Sequence, residues 1–478
     1  MNLNDYASQD ATGLATLIRS GEVSAAEVQK VARQAIEAVN PKINALAAPL
    51  FDKPLDYNAS GPFAGVPFAI KDIVCHAANV PTRFGSRMIP ASFAFPHDTE
   101  LMKRWRAAGL ATMGISTTPE FGYNSNTEAL AYGSTRNPWN TTRSPGGSSG
   151  GAAALVASRA LPVAHANDGG GSIRIPAGIC GVVGLKPTRG RVSLGPDAAE
   201  ALSGMAIEFA VSRSVRDTAA LLDAVEGPGV GEKYEIARPS RPYIKEVGAN
   251  PGKLRIAISP KGWSTVPIHP ACVAAVEKTA KVLAGLGHHV EDATPKFDVE
   301  AFDNANVNLW SAGLADWIMT FAEALNLKPS QDNLEATIWA CLQHGKKLSA
   351  IDLLTSEHVM NTVCRSVGAF FQGYDLLLTP TVAAPATPSG FLNANDPTLD
   401  ASAWTRKIFT NMPFTALFNV TGQPAISLPL CMSDDGLPVG LQFVGQYGDE
   451  ARLIQIAAQL EQAMPWIDRQ PAVCAGRA

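Results

Sequence analysis

The 478-residue chain is short of charge, of cysteine pairs and of long apolar runs. Charged residues make up 17% of it, against roughly 25% in ordinary soluble domains. With 46% hydrophobic residues, that shortage points to a large buried core. A formal net charge of −4 argues against a nucleic-acid partner. Seven cysteines, at positions 75, 180, 272, 341, 364, 431 and 474, make no C-x-x-C pair, so they read as reduced, mostly buried thiols. None of the eight histidines falls in an H-x-x-x-H or H-E-x-x-H pattern, so no metal site is expected. No segment offers ~18–20 uncharged apolar residues, which excludes a helical membrane span. The opening MNLNDYASQDATG has neither a basic nor an apolar leader region, and a cytoplasmic location is expected. Internal repeats and low-complexity tracts are lacking as well.

What stands out instead is the stretch from Arg143 to Arg189, with two glycine-embedded serines, Ser148 and Ser172, 24 positions apart. Glycines beside a serine let a substrate approach the backbone closely, and free amides nearby can stabilise an anion. Residues 160–166 (ALPVAHA) read as an apolar strand buried on both faces. Asn167, Asp168 and three glycines then break it, and SIRIPA turns into a short helix expected just after Pro176. The amides of Gly169, Gly170, Gly171 and Ser172 are expected to converge into a donor cradle for an oxyanion. GGSSGGAAALVAS follows the same plan, an Ala-rich helix aiming its N-terminal amides back at the site.

Two other chemistries compete for these turns. Phosphate binding is disfavoured, because neither turn carries the Gly-Lys-Ser/Thr ending of a P-loop or a clean G-x-G-x-x-G, and no cofactor is expected. Residues 146–150 (GGSSG) do match G-x-S-x-G, which would make Ser148 the nucleophile of an α/β-hydrolase-type esterase. That fold needs a downstream acid and histidine. The five histidines that follow Ser172 (His269, His288, His289, His344, His358) sit in no loop or glycine-rich setting that suggests such a role.

The block GGSSGG…NDGGGSIRIPAGICGVVGLKPTRGR resembles the signature of the amidase signature family, and GVPFAIKDI looks like that family's lysine segment. FNVTGQPAISLPL (418–430) and GLPVGLQFVGQYGDEARLIQIAAQLE (436–461) are similar to its closing strands and last helix, so the likeness runs from about residue 10 to 465. HANDGGGSIRIPA and TRNPWN look closest to the branch with 6-aminohexanoate cyclic-dimer hydrolases and related acylamidases. The resemblance implies an α/β fold, a mixed central sheet covered by helices on both faces. It implies one catalytic domain over 1–478, with a signature core at about 60–226 and a helical, pocket-shaping insert at about 300–372. Residue by residue it implies Ser172 as nucleophile, Ser148 as bridging serine after a cis bond from Gly147, and Lys71 as base. Asp168 and Arg174 become supports of the loop. One departure is Asn167 ahead of Asp168, where many members have threonine.

On its own, GVPFAIKDI reads as a strand ending in a surface lysine; only the signature block turns Lys71 into a base. Lysine holds its proton up to pH ~10.4, so it can act as a base only when burial, here among Val66, Phe68 and Ile70, disfavours the charged form. Asp72 need not pair with it, since adjacent strand side chains point to opposite faces. FGYNSNTEA, with Gly122, Tyr123 and Asn124, and the insert's Trp310, Trp317 and Trp339 are candidate pocket walls. The expected reaction is hydrolysis of neutral, largely apolar amides through an acyl-enzyme, extending to anilides, carbamates and esters. The expected partner is a small-molecule amide, with neither nucleic acid nor membrane, and a homodimer is left open. The alternative within the family is the amidase component of a tRNA-dependent amidotransferase complex, where glutamine usually stands in place of Ile175.

Overall fold

Apolar strand-sized runs alternate with amphipathic helix-sized ones through most of the chain. The computed structural model, which describes residues 1–477, gathers them into one eight-stranded mixed sheet with helices on both faces. In spatial order the strands are Val163–Asp168, Ile207–Ser212, Val183–Lys186, Ala425–Met432, Pro438–Gly445, Leu376–Pro380, Arg255–Ile258 and His289–Asp292. The first five pairings are antiparallel and the last two parallel. The middle strands Ala425–Met432 and Pro438–Gly445 are buried almost throughout, which is why AISLPL and VGLQFV show no polar alternation. At the far edge, HVED (His289–Asp292) is largely exposed and charged, a composition that discourages edge-to-edge pairing. Among the described residues no helix is long and apolar enough to cross a membrane.

A separate two-stranded parallel ribbon pairs Pro67–Lys71 with Ala111–Ser116 and leaves Lys71 opposite Ser116. Among the N-terminal helices, Ala25–Ile43 is capped by Ser24, whose hydroxyl accepts from the Glu27 amide at 3.2 Å. These helices and the sheet share one apolar core. A second core forms where the insert helices Val299–Ala324, Ala336–Gly345 and Ala350–Phe370 close over Phe84, Phe121 and Tyr123. The candidate site lies where the two cores meet.

Two local expectations shift. The strand expected at 160–166 runs from Val163 to Asp168, because its partner Ile207–Ser212 pairs with Asn167 through Glu208 and with Asp168 through Ile207. Asn167 and Asp168 therefore end the strand and do not break it. The helix expected after Pro176 spans Arg174–Cys180 and includes the proline. Proline is tolerated there because first-turn amides have no helical acceptor.

Candidate active site

Alternation along Val163–Asp168 sends His165 and Asn167 to one side and Asp168 to the other. Asp168 is fully buried and gathers the turn that follows it. Its carboxylate accepts from the Gly171 amide at 2.6 Å, the Ile173 amide at 3.2 Å and Asn419 Nδ2 at 2.8 Å. It also accepts from Arg174 Nε and Nη2, each at 2.9 Å. Arg174, itself wholly buried, spends its remaining donors on Thr415 O (2.9 Å), Gln442 Oε1 (2.7 Å) and Asn419 Oδ1 (2.6 Å). All five guanidinium donors are thus used. Burial would raise the Asp168 pKa, but the Arg174 charge and this set of donors outweigh it and hold the group at about 2. Gly171 sits at φ +137°, and a Cβ there would lie 2.3 Å from Thr415 Oγ1, so only glycine fits this corner.

The turn presents Ser172 at a pocket, and its Oγ makes no hydrogen bond among the described residues. Gly171, one of the four expected cradle amides, is committed to Asp168, which corrects that part of the expectation. The amides of Gly169, Gly170 and Ser172 find no acceptor among the described residues.

Lys71 ends its strand only 1% exposed. Its Nζ lies 2.7 Å from Ser148 Oγ and 2.6 Å from Asn167 Oδ1. Desolvation lowers its pKa from 10.5 to about 7, against the opposing charges of Glu208 and Asp168. Asp72 turns away, as strand geometry requires, and holds Thr82 Oγ1 at 2.8 Å, the Arg83 and Gly85 amides, and the Tyr132 hydroxyl. The bond between Gly147 and Ser148 is cis, and Ser149 Oγ donates to Asn167 O at 3.2 Å, tying the two serine turns together.

Gly122, Tyr123 and Asn124, the expected wall residues, all line the pocket with Gly170, Ser172 and Ile175. The opposite side is apolar: Trp310, Ile408, Phe409 and Met412. Trp310 stacks on Tyr123 with ring centres 4.6 Å apart and planes 8° from parallel. Trp317 instead packs on Phe84 and Phe121, away from the opening, and Trp339 is a partly buried member of the second core.

No histidine hydrogen-bonds to either serine among the described residues. His288 bonds with the Leu254 amide and Gln459, and His344 with Asn308. Among the described residues His165 is the imidazole at the site; in sequence it lies between the two serines, ahead of the five histidines that follow Ser172. Its Nδ1 accepts the Lys71 main-chain amide at 3.1 Å and its Nε2 meets Glu208 Oε2 at 2.6 Å. Strand alternation with Asn167 is the sequence signal that could have found it. Elsewhere, His76, His97 and Asp197 converge from three segments, with His97 Nε2 2.9 Å from Asp197 Oδ1 and both of those side chains about 40% exposed. We read them as a hydrogen-bonded cluster at the edge of the surface, with His76 buried beneath it.

The chain belongs to the amidase signature family, whose model, described as "Amidase", matches residues 24–454. It is 41% identical over 476 residues to a 6-aminohexanoate-cyclic-dimer hydrolase of Paenarthrobacter ureafaciens, covering 97% of this chain and 96% of that one. A solved structure of a 6-aminohexanoate cyclic dimer hydrolase complexed with substrate superposes with a TM-score of 0.91 at 39% identity, over 98% and 99% of the two chains. A glutamyl-tRNA(Gln) amidotransferase chain from Thermotoga maritima is a more distant neighbour, at 25% identity and a TM-score of 0.77, over 99% and 98%.

Proposed function

We propose that the protein hydrolyses neutral, largely apolar amides through an acyl-enzyme on Ser172, with Ser148 as proton relay and Lys71 as base. The observation that carries this reading is the 2.7 Å contact of a buried, easily deprotonated Lys71 with Ser148, beside a pocket-facing Ser172. An amide carbonyl is a poor electrophile, so attack needs an activated hydroxyl and a stabilised oxyanion. Neutral Lys71 takes the Ser148 proton while Ser148 takes that of Ser172. Ser172 Oγ bonds to the carbonyl carbon, and the oxygen's charge falls to the free amides of Gly169, Gly170 and Ser172. Collapse breaks the C–N bond, and the proton returns through Ser148 to the leaving nitrogen. Water repeats the attack to release the acid and restore Ser172.

The apolar wall of Trp310, Ile408, Phe409 and Met412 favours an uncharged acyl chain. Similarity to the cyclic-dimer hydrolases makes cyclic and linear amides of amino acids the first substrates to try. Ile175 on the pocket wall, in place of the usual glutamine, speaks against the amidotransferase role.

Steady-state kinetics on the cyclic dimer of 6-aminohexanoate, linear amides, anilides and carbamates test the proposal. We expect turnover of several neutral amides, unchanged by EDTA. Failure on all of them, with glutaminase activity appearing only alongside partner proteins, would reject it. The base has its own signature. Protonated lysine accepts no proton, so kcat/KM should rise with pH through about 7. Lys71→Ala should remove that limb, and Lys71→Arg should also fail, because guanidinium stays charged.

A further inference from the structure

Behind Lys71 lies a polar pair that the proton relay does not use. His165 and Glu208 are both buried, at 0% and 2% exposure, on neighbouring antiparallel strands. Glu208 stands directly across from Asn167, and His165 across from Ala210, so the carboxylate reaches the imidazole along the diagonal available on one sheet face. The geometry fixes the tautomer. His165 Nδ1 accepts the Lys71 N–H at 3.1 Å and therefore carries no proton. Nε2 holds it and donates to Glu208 Oε2 at 2.6 Å, which excludes the doubly protonated ring. Glu208 Oε1 has no hydrogen-bond partner among the described residues.

A half-paired buried carboxylate is unusual in a folded core and suggests that its charge has a use. Lys71 shares no main-chain ladder with the strand of His165; the imidazole makes that link in its place. Moreover, Glu208 is the foremost charge opposing the lysine's loss of its proton, ahead of Asp168, whose charge is already engaged by Arg174. The other ionisable groups around Lys71 face elsewhere or stay neutral. Asp72 turns to Thr82 and Tyr132, burial keeps the Cys75 thiol protonated, and burial beside Arg174 favours neutral Lys186.

We propose that His165 and Glu208 are a positioning dyad for Lys71: the imidazole clamps the lysine's main chain, and the carboxylate's buried charge sets the pH at which the amine becomes a base. The proposal rests on Lys71 being that base. Removing the charge should make the ammonium form less favourable, so Lys71 would lose its proton at lower pH. Glu208→Gln, which keeps the shape, should move the acidic limb of kcat/KM down by about one pH unit. Glu208→Asp, which keeps the charge, should leave the limb near its original place even where the plateau falls. On the clamp side, His165→Leu should lower kcat by about tenfold or more with KM little changed. His165→Asn, with an acceptor where Nδ1 was, should recover most of that loss.

Full-length variants are compared by pH profiles from 5 to 10, with thermal unfolding to establish that each is folded. A Glu208→Gln limb that stays put or moves up, or a Glu208→Asp limb that shifts as far as that of Glu208→Gln, overturns the charge-setting role. His165→Asn no better than His165→Leu overturns the clamp. If Glu208→Gln does not fold, the Glu208→Asp limb and the two His165 variants decide. Lys71→Ala separates the layers: a limb that survives in it rejects the lysine base itself. A limb lost in Lys71→Ala yet stationary in Glu208→Gln rejects only the dyad.

Discussion

The two walls of the site are built on opposite terms. On the Asp168 side the buried side chains are paired: the carboxylate holds the turn, all five Arg174 donors are spent, and only the Ser172 hydroxyl and the amides of Gly169, Gly170 and Ser172 stay free among the described residues. On the insert side, buried polar atoms stand without partners among the described residues, including Trp310 Nε1, Ser125 Oγ, Asn126 Oδ1 and Ser311 Oγ. Buried polar groups are normally paired, so this imbalance is informative. The groups we propose to react are held in place before any substrate arrives, as electrostatic preorganisation demands. We infer that the receiving wall instead keeps hydrogen-bonding capacity for the molecule that enters, since Trp310 and Ser125 both line the pocket.

The contrast can be broken most sharply at Ser172. Ser172→Ala should lower kcat on the order of 10³-fold or more and abolish acyl-enzyme, because the triad acts as a unit. Ser148→Ala should be as slow in turnover yet still acylate in single-turnover assays, and equal, modest losses in both would contradict the division of roles. Next comes the saturated wall. Asp168→Asn strands the Arg174 charge in the core and should destabilise the fold by about 3–5 kcal/mol in urea unfolding; a change under about 1 kcal/mol would show that the turn is held by something else. The pH sign is fixed by the lowered pKa. The aspartate's contribution is complete above the ordinary carboxylate range and is lost as pH falls towards about 2.

Smaller effects belong to the receiving wall. Trp310→Phe keeps the stack on Tyr123 but deletes the indole N–H. We expect roughly fivefold lower kcat/KM for substrates with a second polar group, from about 1 kcal/mol for one hydrogen bond, and no change for wholly apolar anilides. Equal effects on both classes would assign Trp310 to packing alone. The smallest expected effect is a drift in local stability. Glu120 and Glu335, at the root of this wall, are both pushed up, chiefly by burial, and Glu120 also by Glu335. Each binds its proton more tightly folded than unfolded, so their contribution is present at acid pH and fades as pH rises through neutrality. Amides of 120–126 should therefore lose hydrogen-exchange protection over that range, and Glu335→Gln should remove the trend.

The same asymmetry governs what could be read from the chain. The turn that carries Ser172 was legible because its parts are contiguous: Asp168 meets Gly171, Ile173 and Arg174 within six residues. The family resemblance supplied Lys71, whose burial its own segment does not reveal, since Ala111–Ser116 and His165 do the covering. Tyr123 and Asn124 were legible as wall residues, but Ile408, Phe409 and Met412 were not, because only the fold brings that helix to the pocket. Asn419, 251 positions from Asp168, lay beyond any local pattern. The commitment of the Gly171 amide to Asp168 was likewise invisible, since glycine spacing says nothing of where an amide's partner lies. Among the indoles, stacking on Tyr123 singled out Trp310, a distinction that composition could not draw.

The most direct test of the central claim is to locate the acyl-accepting serine chemically. The protein is labelled with a fluorophosphonate probe and digested, and the modified peptide is sequenced by mass spectrometry. We expect the label on Ser172, absent from Ser172→Ala and slowly acquired by Ser148→Ala. A label on Ser148 that persists in Ser172→Ala would make Ser148 the nucleophile and contradict the mechanism proposed for this site.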